Sequence, residues 1–140
     1  MPAPELFEGF ADRQAQAEDE LAGRFGDGVR EHFATARART AEWTQGDYLD
    51  AQRQGEAIDQ RVAELMRAGE APGSAAVLAV IADHHRMVSA HWTPNRESYR
   101  GLGRLYVDDP RFRDRYEAVA PGLAEYYRDA ISAYADQHLA

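Results

Sequence analysis

The stretch Ser74–Trp92, SAAVLAVIADHHRMVSAHW, decides how this chain is read. At about 100° of turn per residue, Val77, Val80, Ile81, His84, His85, Met87, Val88, His91 and Trp92 fall on one continuous half of a helix. Ala79, Ala82, Asp83, Arg86, Ser89 and Ala90 fall on the other half. So clean a stripe marks a helix packed as a wall against a core, and here that wall carries three histidines. Thr93-Pro94 then reads as a cap with proline in the first turn of the next helix. On that helix Tyr99, Leu102, Gly103 and Tyr106 share a face, which Leu105 extends.

Working outward, Asp109-Pro110 repeats the cap-then-proline signal for a short helix carrying Phe112, Tyr116 and Val119, which Pro121-Gly122 ends. The last helix runs to about His138 on the stripe Leu123, Tyr127, Ala130, Ile131, Tyr134 and His138. Upstream, Thr44-Gln45-Gly46-Asp47 resembles a capping box and opens a helix to about Arg67, with Tyr48, Ala51, Gly55, Ile58, Val62 and Leu65 on one face. The first half of that face is small, which permits close approach of a ligand or, the preferred reading, of a neighbouring helix. Gly69 and the APGS at 71–74 separate it from the histidine-bearing helix. Further back, Val29 to Thr40 reads as a helix, and the GDG at 26–28 parts it from another between Asp12 and about Phe25. These two helices bury little and are hinged by glycine, so residues 1–42 are expected to form a mobile lid over a core of residues 43–140. Leu6, Phe7 and Phe10 belong to a docked arm or a loose terminus. The expectation is an all-α single domain, residues 1–140, of about seven helices without strands or repeats.

Composition narrows the function. The 140 residues suit one domain with its own core. With 44% apolar and 29% charged residues, the chain has the composition of a soluble globular protein. No apolar run approaches the ~20 residues of a spanning helix, so no membrane association is expected. The start MPAPELFEGF lacks the basic flank and apolar core of a secretion signal, which makes the cytoplasm the expected compartment. The absence of cysteine excludes disulfides, thiolate metal sites and thiol nucleophiles together. The net charge of −8 argues against direct nucleic-acid binding, which depends on neutralising phosphates.

Three histidines invite a metal hypothesis, and helical geometry answers it. On one helix His84 and His91 are separated by about 10.5 Å, too far to share an ion with ligand distances near ~2 Å. The neighbours His84 and His85 diverge by about 100°. No metal and no cofactor is expected. No serine sits in a nucleophile elbow, the glycines of Gly101-Leu102-Gly103 lie inside a helix, and the carboxylates are scattered over polar faces, so no enzyme is expected. What remains is a wall of histidine, tryptophan and tyrosine, each a flat face with one polar tip, suited to large heteroaromatic ligands. Ligation of haem by a buried histidine is the alternative for an all-α domain.

The segments DHHR…HW (83–92), YRGLGRLYVDDPRF (99–112) and APGLAEYYRDAISAYA (120–135) resemble the TipA-S-type antibiotic-recognition domain, the effector-binding half of MerR-like drug-sensing regulators. The resemblance extends through WTQGDYLDAQRQ (43–54) and MRAGEAP (66–72). It implies a globin-like helical fold whose cleft holds thiopeptide or other peptidic antibiotics. It implies drug sequestration when the domain stands alone, and transcriptional activation when it is fused to a DNA-binding domain. The domain begins at Met1 here, so the winged helix-turn-helix and coiled coil of such regulators are not expected. Some members trap dehydroalanine-bearing thiopeptides through a cysteine just after the His-aromatic pair. That place falls at or near Pro94 in this chain, which excludes capture through a thiol.

The resulting expectation is a cytoplasmic, non-enzymatic protein that sequesters a bulky heteroaromatic or peptidic antibiotic. Its candidate ligand-binding residues are His84, His85, Val88, His91, Trp92, Pro94, Asn95, Tyr99 and Tyr106, with Trp43 and Tyr48 adding to the wall. A haem or tetrapyrrole binder, and a regulatory module acting through a partner protein, are the competing readings.

Overall fold

A computed structural model describes Asp19, Ala22, Gly23 and residues 28–140. Most of the helix expected between Asp12 and Phe25, and the segment with Leu6, Phe7 and Phe10, lie outside the described residues. From residue 28 on, six helices follow in order among the described residues: α1 Gly28–Arg39, α2 Gln45–Arg67, α3 Ala75–Ser89, α4 Arg96–Asp108, α5 Pro110–Val119 and α6 Leu123–His138. No strand occurs among the described residues, and none of these helices is long and apolar enough to cross a membrane.

The helix boundaries follow from local chemistry. Thr44 opens α2 as the sequence suggests: the Asp47 amide donates to Thr44 Oγ1 at 3.2 Å, and the Thr44 amide donates to Asp47 Oδ2 at 2.8 Å. Gly69, at φ 80°, takes the left-handed conformation just past the end of α2, where its amide reaches Met66 O and that of Glu70 reaches Leu65 O. The Ser74 hydroxyl accepts from the Val77 amide at 3.3 Å and opens α3. Asp109 caps α5 ahead of Pro110, as expected. Glu117 closes the α5–α6 junction by accepting from the amides of Gly122 and Ala124. The hydrogen bond from Ala124, despite some desolvation, draws its carboxyl below the usual range.

Two boundaries differ from the sequence reading. The helix expected to reach Trp92 stops at Ser89. The Ser89 hydroxyl donates to His85 O at 2.7 Å, and Pro94 could neither donate to the Ala90 carbonyl nor let Thr93 stay helical. Nor is Thr93 the cap of the next helix. Asn95 caps α4, its Oδ1 accepting from the Ser98 amide while Ser98 Oγ accepts from the Asn95 amide, both at 2.9 Å. Asparagine is the better cap, and Ser98 completes the reciprocal pair one turn on.

The chain divides into two compact units. One comprises the described residues up to Leu49 together with Ala90–Trp92, and the other comprises Asp50–Ser89 and Thr93–Ala140. In the second unit α6 packs on α3, α4 and α5, around a core that includes Val77, Ile81, Tyr99, Leu123, Tyr127 and Ile131. Gly103 sets the α4–α6 spacing: a Cβ there would lie 3.2 Å from the Arg128 Cα and 3.3 Å from its carbonyl oxygen. Those are backbone atoms that cannot swing away. Gly103→Ala should therefore destabilise the protein by about 1–3 kcal/mol, although alanine is the better helix former by about 1 kcal/mol. Urea unfolding measures the sign directly.

Candidate functional site

The histidine wall divides into two groups of different character. His84 points into the core of the second unit and is only 1% exposed. Its Nδ1 lies 2.6 Å from the Tyr99 hydroxyl and its Nε2 lies 3.0 Å from the Tyr106 hydroxyl. Tyr99 and Tyr106 stand two turns apart on α4, so their hydroxyls bracket the imidazole. The proton positions follow from the available acceptors. The Tyr99 hydroxyl donates to the Ile81 carbonyl at 3.5 Å, so it accepts from Nδ1–H, and Nε2 of the neutral ring accepts from Tyr106. The Tyr106 ring in turn packs on that of Tyr116, with centroids 4.6 Å apart.

Burial, reinforced by the neighbouring His85, lowers the His84 pKa to about 3, so the ring is neutral throughout the ordinary range. Burial likewise drives Tyr99 and Tyr106 upward and pushes Tyr116 up to about 12. Beside this group, the Tyr127 hydroxyl donates to Asp59 Oδ1 at 2.9 Å and Arg115 donates to Oδ2 at 3.3 Å. Asp59 is 4% exposed; its burial raises its pKa against the hydrogen bonds from Tyr127 and Arg115. The carboxylates are thus not all on polar faces. Asp59 lies four residues after Gly55 and three before Val62, and that stripe position was the available signal.

The other candidates in this unit have different surroundings. His85 is half-buried against Tyr99 and Tyr134, with centroids at 5.1 and 5.6 Å. Its Nε2 is covered and has no hydrogen-bond partner among the described residues. Val88 and Pro94 are buried. Asn95 is exposed, but its amide oxygen is engaged in capping α4.

His91, Trp92, Trp43 and Tyr48 belong to the first unit, all half-buried. Trp43 stands edge-on to both Tyr48, at 5.2 Å, and His91, at 5.1 Å. Trp92 lies over His32 at 4.3 Å. Burial lowers the pKa of His91. His32 was not among the sequence candidates. Its signal was the spacing Val29–His32–Ala36, which sets it on one side of α1. Among the described residues no group of three or more His, Cys, Asp or Glu is placed to hold a metal.

The chain belongs to the TipAS antibiotic-recognition domain family, whose sequence profile matches residues 17–134; this is a family of ligand-binding domains, not enzymes. It is 37% identical over 133 residues to the HTH-type transcriptional regulator SkgA of Caulobacter vibrioides, covering 93% of this chain and 52% of SkgA. It is 34% identical over 136 residues to the HTH-type transcriptional activator TipA of Streptomyces lividans, covering 96% and 53%. This chain therefore spans about half the length of the curated relatives it matches. Among solved structures, TipAS from Streptomyces lividans in complex with nosiheptide matches with a TM-score of 0.80 at 33% identity, over 99% of this chain and 96% of that one. The antibiotic-binding domain of a TipA-class multidrug resistance transcriptional regulator matches with a TM-score of 0.58 at 36% identity, over 63% and 95%.

The His84 clamp makes stability depend on pH. The imidazole takes up a proton at its ordinary 6.5 when unfolded but only at about 3 when folded. Between those values the unfolded chain binds more protons, so stability falls as pH drops through that window, by up to about 1.4 kcal/mol per pH unit. Asp59, with its raised pKa, works in the opposite direction at the acid end. Urea midpoints should fall from pH 7 to pH 4.5. His84→Leu should flatten this slope while costing about 2–4 kcal/mol at pH 7, since two buried hydroxyls lose their partner.

Proposed function

We propose that this chain binds and sequesters a bulky heteroaromatic or peptidic antibiotic of the thiopeptide type, without a covalent bond, in the cytoplasm. The observation that carries the reading is the likeness, at a TM-score of 0.80, to a TipAS domain solved with the thiopeptide nosiheptide. Membership of the antibiotic-recognition family supports drug resistance or sensing as the purpose. Because the relatives are named as transcriptional regulators, sensing through a partner protein or a longer regulator is the companion reading. In this proposal the fold is globin-like with about seven helices, and residues 1–42 act as a lid over the bound drug.

The ring faces of Trp43, Tyr48, His91 and Trp92 are offered as contacts in the first unit, and His85, Val88, Pro94 and Asn95 in the second. His84, Tyr99 and Tyr106 serve in the second unit as the support that keeps α3 and α4 in register, since their polar atoms are already paired. That pairing also weighs against haem: both nitrogens of the most buried histidine are taken. With no cysteine in the chain, binding is reversible.

Trp43 and Trp92 are the two tryptophans of the chain, and both stand among the proposed contacts, so intrinsic fluorescence reports on them. Titration at micromolar protein with a panel of thiopeptides and aromatic oligopeptide drugs should give a saturable change that reverses on dialysis. Trp92→Ala should weaken binding about tenfold or more, as loss of an aromatic anchor does. A flat response across the whole panel would sink the proposal.

A further inference from the structure

A cavity of about 500 Å³ lies along one side of α4, lined by Asn95, Arg96, Glu97, Arg100, Arg104 and Ala140. Its volume is that of a small-molecule site, and its lining is cationic in a chain whose net charge is −8. Three arginines line it against the single acidic side chain of Glu97. Arg96, Arg100 and Arg104 recur every four residues, so they form one stripe that rises about 6 Å from each to the next. The positive end of the helix opens on the same space. None of the three arginines is among the proposed drug contacts.

The three are engaged to different degrees. Arg96 gives its amide to the Ala140 oxygen at 2.9 Å and its Nε to the Leu139 carbonyl at 3.1 Å. Backbone oxygens of residues 139 and 140 thus already settle on this end of α4. Arg100 gives one nitrogen to Asp136 at 3.1 Å. That ion pair is half in water, where such a pair contributes little, and the remaining guanidinium donors are unspent among the described residues. Arg104 is exposed and makes no ion pair or hydrogen bond among the described residues. Its guanidinium lies back along the helix, where a Cβ on Gly101 would sit 3.6 Å from Nη2. We propose that Arg96, Arg100 and Arg104 form a site for a compact polyanion, a ligand carrying two or more phosphate or carboxylate groups. Guanidinium takes either group through paired N–H donors. Arginines one turn apart hold two such groups at once, whereas a single anion engages only one. Glu97 opposes the ligand by like-charge repulsion and limits how tightly it is held.

Titration of the full chain with sodium tripolyphosphate and, separately, with citrate tests the site, at fixed ionic strength because salt screens exposed charges. The arginine Nε–H resonances report binding, those of Arg100 and Arg104 being assigned by their loss in Arg100→Gln and Arg104→Gln. Both should shift saturably with at least one probe, while Arg53, exposed on α2 and paired with Asp50, stays unmoved. Arg104→Gln should weaken binding about three- to fivefold, the range of one exposed ion pair, and Glu97→Gln should strengthen it. Saturation by tripolyphosphate alone assigns a phosphorylated ligand, by citrate alone a polycarboxylate, and by both a site that reads charge only; each supports the proposal. Absence of saturation with either probe would overturn it, as would equal shifts at Arg53 or wild-type affinity in Arg104→Gln. The tryptophan response to the drug panel is a separate readout, so failure here leaves the antibiotic-binding proposal standing.

Discussion

A neutral imidazole held between two tyrosine hydroxyls ties the helices of the larger unit together. His84 comes from α3 and its two partners from α4, the Tyr106 ring packs on Tyr116 of α5, and Arg115 of α5 donates to Asp59. The Tyr127 ring of α6 lies 5.2 Å from that of His84 and links by its hydroxyl to Asp59 on α2. Five helices thus meet through hydrogen bonds and ring contacts of these groups within an otherwise apolar core. Such a network specifies one arrangement, because shifting any helix by a turn would leave buried donors and acceptors unpaired. Apolar packing alone is more forgiving of slippage. Neutrality is part of the device: a charged imidazole at 1% exposure would have no carboxylate beside it to compensate for lost hydration.

The same economy governs the acids. In a chain with 24 acidic and 16 basic residues, the carboxylates that leave solvent are assigned specific donors. Asp109 caps α5 and pairs with Arg111 through both oxygens. Glu117, at the end of α5, supplies the N-terminal cap of α6 that Gly122 has no side chain to provide. Asp59 differs, since its cationic partner remains half in water. It is the one of these three whose placement is not accounted for by a helix end, and it accepts instead from the buried Tyr127 hydroxyl.

Much of this was legible in the sequence, and the failures have physical causes. The capping box at Thr44, the cap at Asp109 and the apolar stripes of α3 and α6 were read correctly, because a helix start or stripe is encoded by residues within one or two turns. The end of α3 was missed by three residues, since the apolar stripe continues through His91 and Trp92 while the backbone does not. Periodicity reports which side a residue would occupy if the helix went on; Ser89 and Pro94 determine that it does not. The cap at Asn95 was misassigned to Thr93 for a related reason, as the reciprocal bond with Ser98 becomes evident only with both side chains in place. Asp59 escapes the sequence reading because the carboxylates are placed together on polar faces, and His32 because nothing near it in the chain marks a partner. Their partners, Arg115 and Trp92, lie 56 and 60 positions away in the chain.

The break at Ser89 has a consequence for how a wall of histidines can work. Had α3 run on to Trp92, His84 and His91 would stand two turns apart on one rigid rod, and any ligand on one would be held at fixed distance from the other. Instead His84 is locked into the core, while His91 and Trp92 belong to a different unit, with Trp43, Tyr48 and His32 as their neighbours. One histidine therefore supplies rigidity by having both nitrogens occupied. The other sits half-buried in an edge-on ring contact with Trp43. The proline that ends the helix is what allows one sequence stripe to serve these two purposes.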